Sequence, residues 1–156
     1  GQWLDEHADV FDLIVADFPH PSNFGLGKLY SVPIYRLMAR HLSENGALVV
    51  QSTSPWFAPR SFWCIDATLR EAGFHTHPYH AYVPSFGEWG FNLATRRPGY
   101  TPPTAYSIPT RFLAGETTRL MFRFPPDMKP LPVEANHLNN QRLVHYFEQD
   151  WGNVVR

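Results

Sequence analysis

One cysteine, no long apolar run and almost no net charge set the first limits on this chain of 156 residues. Cys64 has no second cysteine to pair with and sits among apolar neighbours, which suits a reducing compartment and a buried small hydrophobe. No stretch approaches the roughly 18 uninterrupted apolar residues that a spanning helix needs. The first residues lack a basic region leading into an apolar core, so no signal peptide is expected in them. Thirteen basic against fourteen acidic side chains leave a formal net charge of -1, so no global field recruits nucleic acid or anionic lipid. Internal repeats are absent, and the only compositional bias is in proline.

What the chain has instead is apolar and aromatic surface. With 44% hydrophobic and 17% charged residues it can bury a real core within one domain or a large piece of one. Its 15 prolines are concentrated in the second half and imply long, shaped connections there.

Periodicity divides the chain. Trp3, Leu4, His7 and Val10 predict a short helix over residues 1–10, leading into an apolar strand over 11–16 that reads as buried on both faces and ends at Asp17. A loop over 18–28 precedes a helix over 29–42, with Leu29, Ile34, Leu37, Met38 and Leu42 on one face and Asn45-Gly46 as its stop. A second apolar strand over 47–52 is followed by a proline-rich turn and a helix over 59–72 closed by Gly73. Strand, loop and helix repeated in this way predict an α/β fold with parallel strands, in which ligands bind beyond the carboxyl ends. Asp17 and Gln51 stand at such ends. Residues 75–83 and 88–95 predict an antiparallel hairpin around Pro84-Ser85-Phe86-Gly87. Residues 97–132 read as extended, and a last helix over 134–149 is expected to turn Leu138, Leu143, Tyr146 and Phe147 inward. The division expected is 1–96 as the main unit and 97–156 as an extension packed on it.

Several groups invite a chemical reading. His75, His77 and His80 have no neighbouring carboxylate or cysteine motif, so no metal site is expected. Gly25-Leu26-Gly27-Lys28 has the wrong spacing for a phosphate loop and no Ser or Thr after the lysine. Trp56, Phe57, Phe62 and Trp63 read as core rather than as a ligand cage. Asp17 by position alone is either a loop-capping aspartate or a functional carboxylate.

The segment from Phe11 to Pro21, with Leu29-Tyr30-Ser31 and Tyr35 after it, resembles the strand, loop and helix of spermidine synthases and related polyamine aminopropyltransferases. The likeness continues through Gly46-Ala47-Leu48-Val49-Val50-Gln51, Thr68-Leu69, Ala72-Gly73-Phe74, Val83-Pro84-Ser85-Phe86 and Trp89-Gly90-Phe91, covering about residues 3–95. It implies a partial Rossmann-like sheet of the S-adenosylmethionine-dependent transferase type. It also implies transfer of an aminopropyl group from decarboxylated S-adenosylmethionine, as co-substrate rather than bound cofactor, to a polyamine acceptor such as putrescine.

By the same resemblance Asp17 is the catalytic proton acceptor, Asp17 and Phe18 face the nucleoside sulfonium, and Gln51 positions the amine. Phe86 stands where many relatives have a tyrosine, and His20 where a second acidic residue is usual; a histidine would not attract an ammonium. Glu88 could restore a carboxylate, or be a plain solvated charge. The family's glycine-rich nucleotide turn has no counterpart, so the chain is expected to start inside the catalytic domain, to be inactive as it stands, and to pair with a second copy through the strand over 11–16. The alternatives are a methyltransferase of the same fold and a non-catalytic binding module of the same ancestry. A cytoplasmic protein is expected; some bacterial relatives carry a membrane-embedded region before this domain, which the resemblance leaves open.

Overall fold

The structure, a computed structural model, describes residues 8–152. Most of the helix expected over residues 1–10 therefore lies outside the described residues. Four strands form one mixed sheet in the order β1-β2-β4-β3: β1 Phe11–Ala16, β2 Leu42–Gln51, β3 His75–Val83 and β4 Gly87–Thr95. β1 and β2 are parallel, with Ala16 opposite Val50. β4 runs antiparallel to both β2 and β3. The hairpin thus returns its second strand to the inside, and the carboxyl ends of β1, β2 and β3 share one end of the sheet with the start of β4.

The helices are α1 Phe24–Gly27, α2 Val32–Arg40, α3 Pro59–Glu71, α4 Gly115–Met121 and α5 Arg142–Gly152. The core lies where Leu48 and Val50 of β2 meet Cys64, Ile65 and Leu69 of α3, with Tyr35 of α2 and Leu143 of α5. Alternation does the sorting: Leu48 and Val50 are wholly buried, while Val49 and Gln51 turn to the other face and are only half-buried. No helix among the described residues is long and apolar enough to cross a membrane.

Five elements differ from expectation. The helix expected over 29–42 is a 3-10 turn, Lys28–Tyr30, then an extended Ser31 and α2 with Pro33 in its first turn. Pro33 suits the first turn of a new helix, where its missing N–H gives up no bond, so a helix restarts there instead of running through. β2 begins at Leu42 because Ser43 to Gly46 bulge out of the ladder between Phe11↔Leu42 and Leu13↔Ala47; Asn45-Gly46 shapes a bulge and not a helix stop. The last helix starts at Arg142, since Asn136 and Asn140 hold residues 135–141 as a turn through their side-chain amides, and Leu138 is exposed rather than inward. α4 forms inside the segment read as extended, with Glu116 and Arg119 paired along it at 3.1 Å. β1 is buried on one face only: Leu13 and Val15 are exposed, Ala16 is buried.

The proline-rich segment and α5 lie against the hairpin and α3. Trp63 Nε1 donates to Met128 O at 3.1 Å, and Phe124 packs on Phe62 and Trp63. Trp56 and Phe57 are exposed, so the aromatic set expected in the core splits in two.

Candidate active site

A cleft of about 540 Å³ opens at the end of the sheet where β1, β2 and β3 finish. Val15, Asp17 and His20 come from β1 and the loop after it, Val49 and Gln51 from β2, and Tyr79, Val83, Phe86, Trp89 and Phe91 from the hairpin. The parallel pairing of β1 and β2 is what sets Asp17 and Gln51 side by side in it.

The loop behind Asp17 is pinned by Tyr30. Its hydroxyl donates to Phe18 O and Pro19 O, each at 3.1 Å, and its ring meets Phe18 edge-on at 5.4 Å. Burial first, and then the negative charge of Asp17, push the Tyr30 hydroxyl well above the usual tyrosine range, so it stays a donor. Phe18 turns to this contact and is not among the residues lining the cleft.

Gln51 closes β2 with its carbonyl oxygen Oε1 buried and without a hydrogen-bond donor. Such an oxygen has lost water without regaining a donor, which costs about 1–3 kcal/mol. Its backbone is fixed by the polar run after it. Ser52 N donates to Gly90 O at 2.9 Å and Gly90 N to Thr53 O at 2.6 Å, Ser54 Oγ donates to Glu88 O at 2.6 Å, and Asn92 Nδ2 donates to Ser52 Oγ at 3.1 Å. A side chain at Gly90 would strike the Phe62 ring at 2.4 Å, so α3 and β4 approach this closely only with glycine there. Sequence reading passed over Ser52, Thr53 and Ser54; polar residues directly after an apolar strand were the available signal.

His20 lies in an aromatic nest. Its ring stacks on Phe147 at 5.7 Å and 28°, meets Trp89 edge-on at 5.7 Å, and is 6.4 Å from Trp151. Phe147 and Trp151 belong to α5, so the last helix reaches the cleft, which periodicity alone did not reveal. Phe86, exposed at the rim, packs on Trp89 at 5.2 Å. Glu88 is not brought into the cleft: its carboxylate is bound to His80 Nδ1, and His80 Nε2 sits 2.5 Å from Arg123 O. Of the other histidines, His77 packs on Tyr100 at 4.9 Å. No group of three or more His, Cys, Asp or Glu among the described residues is placed to hold a metal ion. Residues 25–28 fold into α1 and the turn after it, capped by Asn23.

Residues 1–101 match the spermine/spermidine synthase domain. The chain belongs to that family. Polyamine aminopropyltransferase 2 of Ralstonia nicotianae is 62% identical over 157 residues, covering 100% of this chain and 31% of the relative. The polyamine aminopropyltransferase of Leptospira interrogans is 44% identical, covering 98% of this chain and 30% of its own length. The chain thus spans about a third of the length of these curated family members. In fold it resembles spermidine synthase from Thermotoga maritima, with a TM-score of 0.65 at 14% identity over 97% of this chain and 47% of the other. A spermidine synthase solved with the transition-state analogue AdoDATO superposes with a TM-score of 0.63, also at 14% identity. Both support the family's α/β architecture, and the mixed sheet found here is the one the sequence predicts in outline.

Proposed function

We propose that the intact protein transfers an aminopropyl group from decarboxylated S-adenosylmethionine to an amine, with Asp17 as the proton acceptor. The observation that carries this reading is that Asp17 and Gln51, at the ends of the parallel strands β1 and β2, line one cleft. An alkylamine with a pKa of about 10.4 is almost wholly protonated at neutral pH and is then no nucleophile. A carboxylate attracts the ammonium and takes its proton, and an amide oxygen accepts from the N–H that remains. The freed nitrogen pair then forms a bond to the methylene beside the sulfonium. The carbon–sulfur bond breaks with its electrons going to sulfur, and methylthioadenosine leaves.

In this reading Phe86 and Trp89 wall the acceptor, and His20 orders the wall rather than binding an ammonium. The names of the relatives and the family match support it. Phe18 would act through its backbone, which Tyr30 holds. The test is release of methylthioadenosine by the intact protein with a panel of amines. Asp17→Asn is expected to lower turnover by about 100-fold. Turnover equal to wild type removes the assignment of Asp17. Methyl transfer without methylthioadenosine release supports the methyltransferase reading, and no turnover with any amine supports a binding module.

We also propose that a second copy of the 156-residue chain pairs along β1, which among the described residues has only β2 as a neighbour in the sheet.

A further inference from the structure

The cleft that holds Asp17 carries negative charge at one place only. Asp17 is exposed and lines it, and it is the one carboxylate among the described residues that does so. His20, also exposed, brings no negative charge at any pH. Most of the remaining wall is aliphatic and aromatic, made by Val15, Val49 and Val83 with Phe86, Trp89 and Phe91. Phe86 is open to a ligand at the rim, 59% exposed.

Strand alternation keeps the next carboxylate out. Successive residues of β4 face opposite sides of the sheet, so Trp89 and Phe91 share the cleft side while Glu88 and Gly90 share the other. Gly90 is paired with His80 of β3, and the Glu88 carboxylate is bound to His80 Nδ1 on that side. Bringing Glu88 into the cleft would take a one-residue slip of the hairpin, which would turn Trp89 and Phe91 out of it.

An amine seated on Asp17 therefore meets apolar wall along the rest of its length. A second ammonium there gives up water with no carboxylate in return, and contact with an aromatic face recovers that cost only in part. An alkyl tail gains instead, since each methylene removed from water tightens binding about fourfold. We propose that the acceptor is a primary amine with a single charge and an apolar tail, an alkylamine or arylalkylamine. Its ammonium lies on Asp17 and its tail on Phe86 and Trp89. This rests on the aminopropyl transfer proposed above for the same cleft.

The test compares two ligands of one shape, n-pentylamine and 1,4-diaminobutane, in which an ammonium replaces the terminal methyl. The isotopically labelled 156-residue chain is titrated with each at neutral pH, with the Trp89 indole N–H and the amides of Phe86 and Gly87 as reporters. Saturable shifts are expected with n-pentylamine, and 1,4-diaminobutane should bind at least about 10-fold more weakly. n-Heptylamine, two methylenes longer, should bind about 10-fold more tightly than n-pentylamine. Phe86→Glu places a carboxylate on the exposed rim and should close the gap between n-pentylamine and 1,4-diaminobutane. In the intact protein, kcat/KM from methylthioadenosine release should favour n-pentylamine in the same sense. The proposal is overturned by no saturable shift with either amine, by 1,4-diaminobutane binding as tightly as n-pentylamine, or by n-heptylamine binding no more tightly than n-pentylamine. It is equally overturned by Phe86→Glu leaving the gap as it was, or by a higher kcat/KM for 1,4-diaminobutane in the intact protein. Failure of the transfer reading looks different: the intact protein then releases no methylthioadenosine with any amine, while the titration still separates the two ligands and the preference stands as that of a binding site.

Discussion

Tyr30 shows how a single buried hydroxyl can set the loop after β1. It is 1% exposed, and its two bonds to Phe18 O and Pro19 O fix the backbone that leaves Asp17. Tyr30→Phe keeps the ring and its edge contact with Phe18 but removes both bonds, so about 1 kcal/mol of stability should be lost. If the loop is what holds Asp17 in place, turnover of the intact protein should fall by more than that stability loss explains. Denaturant midpoints and initial rates of the same variant measure the two separately, and an unchanged rate would confine Tyr30 to a packing role.

His77 gives the pH dependence at the same scale. Burial first, and then His75 beside it, lower its pKa from the ordinary 6.5, and Tyr100 is the other group against its ring. Above pH 6.5 the ring is neutral folded or unfolded and costs nothing. As pH falls through that value the unfolded chain takes up the proton first, so stability is lost progressively until the lowered folded value is passed. His77→Gln should therefore lose less stability between pH 7.5 and 5.5 than wild type, read as denaturant midpoints at the two values. An equal loss would place the acid sensitivity elsewhere.

At the scale of elements, the start of α3 is capped from far along the chain. Ala58, its N-cap, offers no side-chain acceptor. Asp150 of α5 supplies it, accepting from Ser61 N at 3.0 Å and Ser61 Oγ at 2.8 Å. Burial pushes the Asp150 carboxyl above the usual range, against the pull of the Ser61 bonds. A raised carboxyl contributes most to stability when protonated and loses that contribution as pH rises through its folded value, so at neutral pH the acceptor matters more than the charge. Asp150→Ala should cost about 1–2 kcal/mol, and Asp150→Asn, which keeps an acceptor, much less; thermal or urea unfolding at neutral pH measures both. Equal losses would make charge the stabilising feature.

That cap also explains what the sequence could and could not convey. β1, β2, α3 and the hairpin are legible because local apolar period and local turn residues determine them. The carboxyl-end rule then places Asp17 and Gln51 at one site. The late start of α5 is not legible, because Asn136 acts through bonds to Gly27 and Tyr30 that only the folded chain brings near. Nor could the engagement of Glu88 by His80 be read, since a cross-strand partner eight residues away depends on the register of the hairpin. The aromatic nest of His20 is the same case at longer range, its stacking partner Phe147 lying on the last helix.

At the scale of the whole molecule, the pairing proposed along β1 turns on the two outer strands of the sheet. β3 is the outermost strand on one side, but Pro78 interrupts its donors and the segment carrying Phe122 and Phe124 lies along it. β1 on the other side has β2 as its one neighbour among the described residues, and Leu13 and Val15 stand 58% and 66% exposed. A strand edge of this kind, with no proline and no charge after Asp12, is a template for another strand. A two-fold contact satisfies both copies at once, which is why a closed dimer is proposed over an open array. Lysine on an edge strand opposes such pairing, so Val15→Lys should shift the 156-residue chain toward monomer in sedimentation while its circular dichroism stays that of the parent. Hydrogen exchange at residues 13–16 should slow with concentration in the parent and not in the variant. A parent chain that sediments as a monomer at high concentration, with these amides already protected, would mean that its own residues cover the edge and would overturn the dimer.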